Sequence, residues 1–121
     1  MNEQLQDMLE TYEYDGVGYH RGIEFKSWTV AVLNYEVRFD KIEKLERHNL
    51  TDEVFILVEG EAMLIVGEEM VCVPMQKNKI YNIKAGVWHN VKVSHDVKII
   101  IVENSDTSKS NTDYLPVTFV G

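Results

Sequence analysis

The feature that most constrains the fold is an excess of β-branched side chains. Valine and isoleucine together number 25, whereas alanine, the best helix former, occurs three times. β-Branched side chains lose rotamer freedom in a helix and pack well on the pleated surface of a sheet. The chain is therefore predicted to be mostly β. The spacing of Leu5, Met8 and Leu9 leaves room for one short amino-terminal helix.

Apolar segments recur at short, even intervals along the chain after Gly16 and Gly18. Residues that favour turns separate these segments. The pattern predicts eight strands, at 28–35, 42–48, 53–58, 62–66, 70–73, 79–83, 88–93 and 97–103. Many short strands at even spacing are typical of a β-sandwich or β-barrel. Residues 104–114 are polar and are predicted to form a loop over the surface or a loose linker.

Length and charge limit the number of domains and the kinds of partner. The 121 residues suffice for one domain, expected as an extension at 1–20, a barrel at 28–103 and a tail at 104–121. The formal charge is −8 and no stretch collects lysine and arginine, so neither nucleic acid nor a membrane is expected as a partner. The amino terminus lacks the features of a signal peptide, and one cysteine cannot form an internal disulfide. A cytoplasmic location is therefore expected.

The alternation of side chains along two of the strands predicts apolar surface on both faces of a sheet. In the segment 53–58, Phe55 and Leu57 lie on one face, while Val54 and Ile56 lie on the other. The last predicted strand is also apolar on both faces. Either an end of the chain folds back over the second face, or a second copy of the chain covers it. The homodimer is favoured, because large exposed apolar patches mark interfaces.

The residues best suited to chemistry lie in two short stretches. Glu46 and His48 are two residues apart on one predicted strand and therefore point the same way. A turn then brings Glu53 to the start of the next strand, and His89 opens another strand after a turn at Gly86. Two histidines and a carboxylate form a ligand set that suits Fe(II), Mn, Ni or Zn, with open positions for a substrate.

These stretches resemble the two motifs of the cupin superfamily, G-x5-H-x-H-x(3,4)-E-x6-G and G-x5-P-x-G-x2-H-x3-N. The first motif is degenerate, with the last three positions matched and glutamate in place of the first histidine; it falls on Asp40, Glu46, His48, Glu53 and Gly60. The second is degenerate too, with only its last glycine and its histidine matched; it falls on Asn78, Lys84, Gly86, His89 and Val93. The 17-residue spacer between the motifs, 61–77, resembles that of small bacterial cupins. The resemblance covers about 28–103 and implies an all-β, small jelly-roll barrel with a site in its mouth.

The resemblance also implies what the site residues do. His48, Glu53 and His89 stand at positions that bind a divalent metal ion in cupins, which is here expected to be Zn, Fe, Mn or Ni. Glu46 replaces a further histidine and is either an oxygen ligand of the metal or, when it is not bound to the ion, a catalytic general base. A metal-free polar pocket is the alternative, because histidines in β proteins are more often hydrogen-bonded polar groups.

Two classes of function remain open on this evidence. In the first, the protein uses the metal to act on or bind a small, oxygen-rich metabolite. In the second, it is a non-catalytic cupin that binds a small molecule without metal. A lyase or isomerase, such as a ureidoglycolate lyase-like enzyme, is a further alternative.

Arg47 lies between Glu46 and His48 but is expected outside the site. By strand parity it points away from both residues, so it is not expected to bind a substrate carboxylate.

Overall fold

The structure, a computed structural model that describes residues 3–120, consists of two five-stranded antiparallel sheets packed face to face. A short helix, α1 (Glu3–Met8), comes first. Ten strands follow: β1 (Tyr19–Phe25), β2 (Trp28–Asn34), β3 (Lys44–His48), β4 (Glu53–Glu59), β5 (Ala62–Val66), β6 (Val71–Pro74), β7 (Ile80–Ile83), β8 (His89–Val93), β9 (Lys98–Asn104) and β10 (Thr112–Pro116). The first sheet has the order β1-β2-β9-β4-β7 and the second the order β10-β3-β8-β5-β6. The predicted small jelly roll is confirmed.

The core lies between the two sheets and follows from the alternation of side chains along each strand. Phe55 and Leu57 of β4 and Ile99 and Ile101 of β9 are all at most 3% exposed. They face apolar side chains of β5 and β8 from the second sheet, such as Leu64. Burial of these large side chains on folding is the main favourable contribution to the free energy of folding.

The eight predicted strands are confirmed, each to within two residues at either end, and so is the short helix. α1 buries none of its residues against the sheets. No helix in the described part of the chain is long and apolar enough to cross a membrane.

Two strands were not predicted, and both lie at sheet edges outside 28–103. β1 pairs with β2, and β10 pairs with β3 along its whole length. The loop predicted at 104–114 is therefore shorter, because its last three residues belong to β10. β1 is polar and contains Gly22, where a Cβ atom would lie 2.2 Å from Cδ2 of Tyr12, so a side chain there would displace the ring that crosses the strand.

The outer face of the second sheet is covered by the carboxy-terminal tail. Leu45 and Ile65 are fully buried on that face, where they pack against Leu115, Val117 and Phe119. For this sheet the chain therefore covers its own second apolar face, as one of the two expected alternatives proposed.

The described part of the amino-terminal segment covers the outer face of the first sheet over β1, where the rings of Tyr12 and Tyr14 stack on His20, and at the corner where β2 ends and β9 begins. There the backbone carbonyl of Tyr14 accepts hydrogen bonds from Asn34 Nδ2 at 2.9 Å and Lys98 Nζ at 3.1 Å. Away from this corner, Val58 is 43% exposed and Ile80 is 69% exposed. Four more apolar side chains of this face are half-buried: Val54, Ile56, Ile100 and Val102.

Candidate metal centre

The inward-facing positions of several strands change from apolar to polar at one end of the barrel. On β4, β8 and β9 these positions are apolar along most of the strand and become Glu53, His89 and Glu103 at that end. β3 adds Glu46 and His48, which share the inward face because they are two residues apart. All five side chains line one cavity of about 430 Å³.

Glu53 lies at the centre of this group. Its Oε1 atom is 2.8 Å from His89 Nε2 and 3.2 Å from His48 Nε2. Glu46 Oε1 lies 3.8 Å from the same His48 nitrogen, and its side chain is about one-third exposed towards the cavity mouth. Glu46, His48 and His89 also offer ligand atoms that all lie within 4.8 Å of one another. The four residues selected from the sequence are thus brought together in one place.

Both histidines use Nδ1 for a hydrogen bond that points away from the centre. His89 Nδ1 donates to the carbonyl of Val87 at 2.9 Å, and His48 Nδ1 is hydrogen-bonded to Thr112 Oγ1 at 2.9 Å. Because a carbonyl only accepts, His89 carries its proton on Nδ1 when neutral, which leaves a lone pair on Nε2. Such bonds fix the ring orientation of metal-binding histidines in proteins.

His48 Nε2 is a buried polar atom without a hydrogen-bond partner in residues 3–120. It lies close to the carboxylate of Glu53, but the two groups are not aligned for a hydrogen bond. A buried, unpartnered nitrogen is unfavourable by about 1–3 kcal/mol and usually has a functional explanation. Together with the donor set of two imidazoles and carboxylates, this atom fits a site for a divalent cation.

The carboxylate of Glu53 and the imidazoles of His48 and His89 each favour the charged form of the other. Burial disfavours the ionised form of Glu53, but its contacts with His48 and His89 outweigh burial and hold the pKa of its carboxyl group well below its ordinary value. Burial also opposes charge on both imidazoles, yet their contacts with Glu53 raise the pKa of each ring above its ordinary value. Protons and a divalent cation therefore compete for the same nitrogens.

Glu103 is a buried member of the cavity that sequence reasoning missed. Tyr19 donates a hydrogen bond to its Oε1 at 2.5 Å, Arg21 Nη2 lies 4.0 Å from the same oxygen, and Oε2 has no partner within the described chain. Burial and the charge of Glu53 raise the pKa of Glu103 to about 7. His48, Glu53 and Glu103 offer ligand atoms within 4.8 Å of one another. Its position on the inward face of the last predicted strand was the available signal.

Two charged residues near the motifs lie outside the centre. Arg47 points away from it, as parity predicted, and its Nε donates to Asp113 at 2.9 Å on the outer side of the sheet. Asp52 accepts hydrogen bonds from the backbone N–H of Ala85 at 2.8 Å and from Asn82 Nδ2 at 3.0 Å. Asp52 thereby fastens the turn that leads into β8 and helps to place His89.

Comparison with solved structures identifies proteins of the same fold. Pac13 from Streptomyces, described as a nucleoside dehydratase and also solved with uridine, matches with a TM-score of 0.63 and 10% identity over 89% of this chain and 85% of that one. A cupin-2 domain-containing protein from Shewanella frigidimarina matches with a TM-score of 0.56 and 22% identity over 86% and 93%. KdgF from Halomonas sp. matches with a TM-score of 0.58 and 9% identity over 76% and 81%.

No protein-family model and no curated protein matches the chain. At these low identities the likeness to solved structures concerns the fold alone. The fold is the jelly roll that the two degenerate motifs predicted, and it is shared with solved structures that include a cupin-2 domain-containing protein.

Proposed function

We propose that the protein binds a divalent metal ion through His48, Glu53 and His89, and that it uses this centre to act on or bind a small, oxygen-rich metabolite. Glu46 is the fourth candidate ligand. The observation that carries the proposal is that the Nε2 atoms of both imidazoles point to the same place. Both lie within 3.2 Å of one carboxylate oxygen of Glu53. Zn, Fe, Mn and Ni all suit such a mixed nitrogen and oxygen ligand set.

A bound divalent ion would supply Lewis-acid chemistry, the polarisation of a carbonyl or carboxylate oxygen on the metabolite. The protein residues do the remaining work. Thr112 and the carbonyl of Val87 hold the two imidazole rings in place through Nδ1. Phe55 packs edge-on against His89, with ring centroids 6.1 Å apart, and separates the centre from the apolar core.

Glu46 is the residue we assign as general base when it is not bound to the ion. It is the most exposed carboxylate of the centre and lies on the cavity wall, where a metabolite can reach it. It lies on the same strand face as His48, so a proton that it accepts is held close to that imidazole. A carboxylate in such a position can take a proton from a bound hydroxyl or from an activated carbon.

Metal analysis of purified protein tests the proposal. Elemental analysis of protein supplied with Zn, Fe, Mn and Ni in turn should find about one ion per chain, and His48→Ala and His89→Ala should lose it. His95→Ala is the matched control, because His95 is an exposed histidine outside the cavity and should keep the ion. Protein that binds none of the four metals, or variants at positions 48 and 89 that bind as well as the control, would contradict the proposal.

The metal-free alternative is favoured by one specific observation. Glu53 lies at hydrogen-bonding distance from His89, 2.8 Å, and the raised pKa of that imidazole allows an ion pair without any metal. In that case the cavity binds its small molecule without metal, or Glu46 and His48 serve as base and acid of a lyase or isomerase. The fold shared with Pac13, described as a nucleoside dehydratase, supports the lyase version. The metal analysis distinguishes both of these metal-free versions from the metal-dependent function.

We further propose that the protein is a homodimer formed through the outer face of the first sheet. Val58 and Ile80 are exposed there, beside half-buried apolar side chains of β4 and β9. Exposed apolar surface of this kind marks interfaces.

We also propose a cytoplasmic location. Cys72 is a free thiol, which supports a reducing compartment such as the cytoplasm.

A further inference from the structure

The cavity that holds the candidate metal centre is richer in cations than the rest of the protein. Its lining contains four of the chain's 12 lysine and arginine residues but only three of its 20 aspartate and glutamate residues. The four cations are Arg21, Arg38, Lys44 and Lys109. In a chain with a formal charge of −8, this lining reverses the overall balance.

The two arginines are engaged with the protein itself. Arg21 donates hydrogen bonds to the backbone carbonyls of Ser105 at 2.9 Å and Thr107 at 2.5 Å, and so ties the loop after β9 to β1. Arg38 Nε lies 2.5 Å from a carboxylate oxygen of Glu36. These contacts satisfy part of the guanidinium donors and make both arginines structural elements of the cavity wall.

The two lysines are different, because neither forms an ion pair with a carboxylate in residues 3–120. Lys44 Nζ lies 4.4 Å from the ring centroid of Tyr114, a cation–π contact that leaves its N–H groups available. Lys109 opens a short 3₁₀ turn in the loop that Arg21 holds in place. Both lysine side chains are exposed, so their charges are free to meet a ligand that enters the cavity.

Along β3 the solvent exposure of the cavity lining increases from the centre of the cavity to its mouth. His48, Glu46 and Lys44 share the inward face, and they are buried, half-buried and exposed in that order. Four residue-to-residue steps along an extended strand separate the backbone positions of Lys44 and His48 by about 13 Å. A small molecule can therefore place one end among the ligands of the centre while its other end meets an ammonium group.

We propose that the cavity selects a small anionic metabolite, with its carboxylate or phosphate group held by Lys44 at the mouth and attracted into the cavity by the second lysine of its lining, Lys109. The uncharged, oxygen-bearing part of the molecule then lies towards Glu46 and the imidazoles. This inference rests on the proposed function in placing the reacting end at the metal centre, but the charge selection belongs to the two lysines alone. The substrate class is thus an acid or phosphate ester rather than a neutral polyol or a cation.

Binding of three matched probes tests this inference. D-Ribose, D-ribonate and D-ribose 5-phosphate share a carbon skeleton and differ in carrying no charge, a carboxylate or a phosphate. Calorimetric titration of metal-supplied protein should show that at least one anion binds more tightly than ribose, and whichever anion binds more tightly identifies the group. In the double variant Lys44→Gln/Lys109→Gln its affinity should fall about tenfold, and the wild-type affinity should weaken with added salt.

The double variant Lys41→Gln/Lys79→Gln is the matched control, since it removes the same charge from lysines outside the cavity and should bind the anion as the wild type does. Equal affinity of the two double variants, or anions that bind no more tightly than ribose, would overturn the inference. Metal content is measured in each variant. A wild-type protein that binds no metal but binds the anion in a lysine-dependent way would overturn the proposed function alone. A wild-type protein that binds metal but whose anion binding does not depend on the two lysines would overturn this inference alone.

Discussion

Glu103 is the residue at which the electrostatics of the cavity are least favourable. Burial disfavours its ionised form, and it shares the interior with Glu53, whose pKa is held low, so the two carboxylates also repel each other when both are ionised. The hydrogen bond from Tyr19 and the charge of Arg21 offset only part of this cost. In the folded protein the pKa of Glu103 is therefore raised to about 7, and its protonated form predominates below that pH.

This raised pKa predicts a pH-dependent effect of Glu103→Gln on stability. A carboxyl group whose pKa rises from 4.5 to about 7 on folding stabilises the protein fully below about pH 4.5, and this contribution is lost as the pH rises through 7. Glutamine keeps the shape without the charge. In metal-free protein, the free energy of unfolding of the variant relative to the wild type should increase by up to about 2 kcal/mol between pH 5 and pH 8.

Urea unfolding curves at the two pH values measure this difference. Glu68→Gln, at an exposed turn between β5 and β6, is the control and should show the same difference from the wild type at both pH values. A stability difference for Glu103→Gln that stays constant from pH 5 to pH 8 would mean that Glu103 is ionised in the folded protein throughout this range.

Strand parity accounts for what the sequence could predict about the site. It places Glu46 and His48 on one face, and the turn that follows brings Glu53 beside them. Glu103 and Thr112 were missed for different reasons. Glu103 reaches the centre from β9, so its proximity depends on how the two sheets are registered, and Thr112 lies on a strand that the sequence did not predict.

At the level of elements, β10 shows why two strands escaped prediction. Its sequence lacks apolar alternation and ends in Pro116, and it becomes a strand because β3 offers an edge with which to pair. β1 depends on β2 in the same way. The central strands could be predicted because each one carries its own alternating pattern, whereas an edge strand takes its structure from its neighbour.

The packing of β10 predicts that substitutions near the two ends of the chain change the free energy of unfolding by different amounts. Leu115 on β10 packs over the fully buried Leu45 and Ile65, so Leu115→Ala should lower the free energy of unfolding by about 1–2 kcal/mol, less than for a fully buried leucine. Met8→Ala at the end of α1 should leave it within about 0.5 kcal/mol, because Met8 is 75% exposed. Denaturation midpoints compare the two, and equal effects would mean that the tail does not stabilise the second sheet.

At the scale of the whole molecule, the two outer faces of the sandwich differ. The tail covers the second sheet, whereas the described amino-terminal segment covers the first sheet over β1 and at the ends of β2 and β9 that meet at one corner. Ile100 lies near the middle of the outer face of the first sheet, on β9, the strand between β2 and β4. Its partners across the sheet are Val32 and Ile56. The surface around Ile100 is therefore the place where a second copy would bury apolar area.

Ile100→Lys should consequently separate the proposed homodimer. A lysine there places a charge among apolar side chains, which is tolerated in a monomer, where the side chain can reach water, and is costly in a closed interface. Light scattering coupled to size exclusion should give about twice the chain mass of 14.0 kDa for the wild type and about 14.0 kDa for the variant. Val71→Lys, at an exposed valine on the edge of the other sheet, should stay dimeric. A wild-type protein that runs as a monomer, or an Ile100→Lys variant as dimeric as the Val71→Lys control, would exclude this face as the interface.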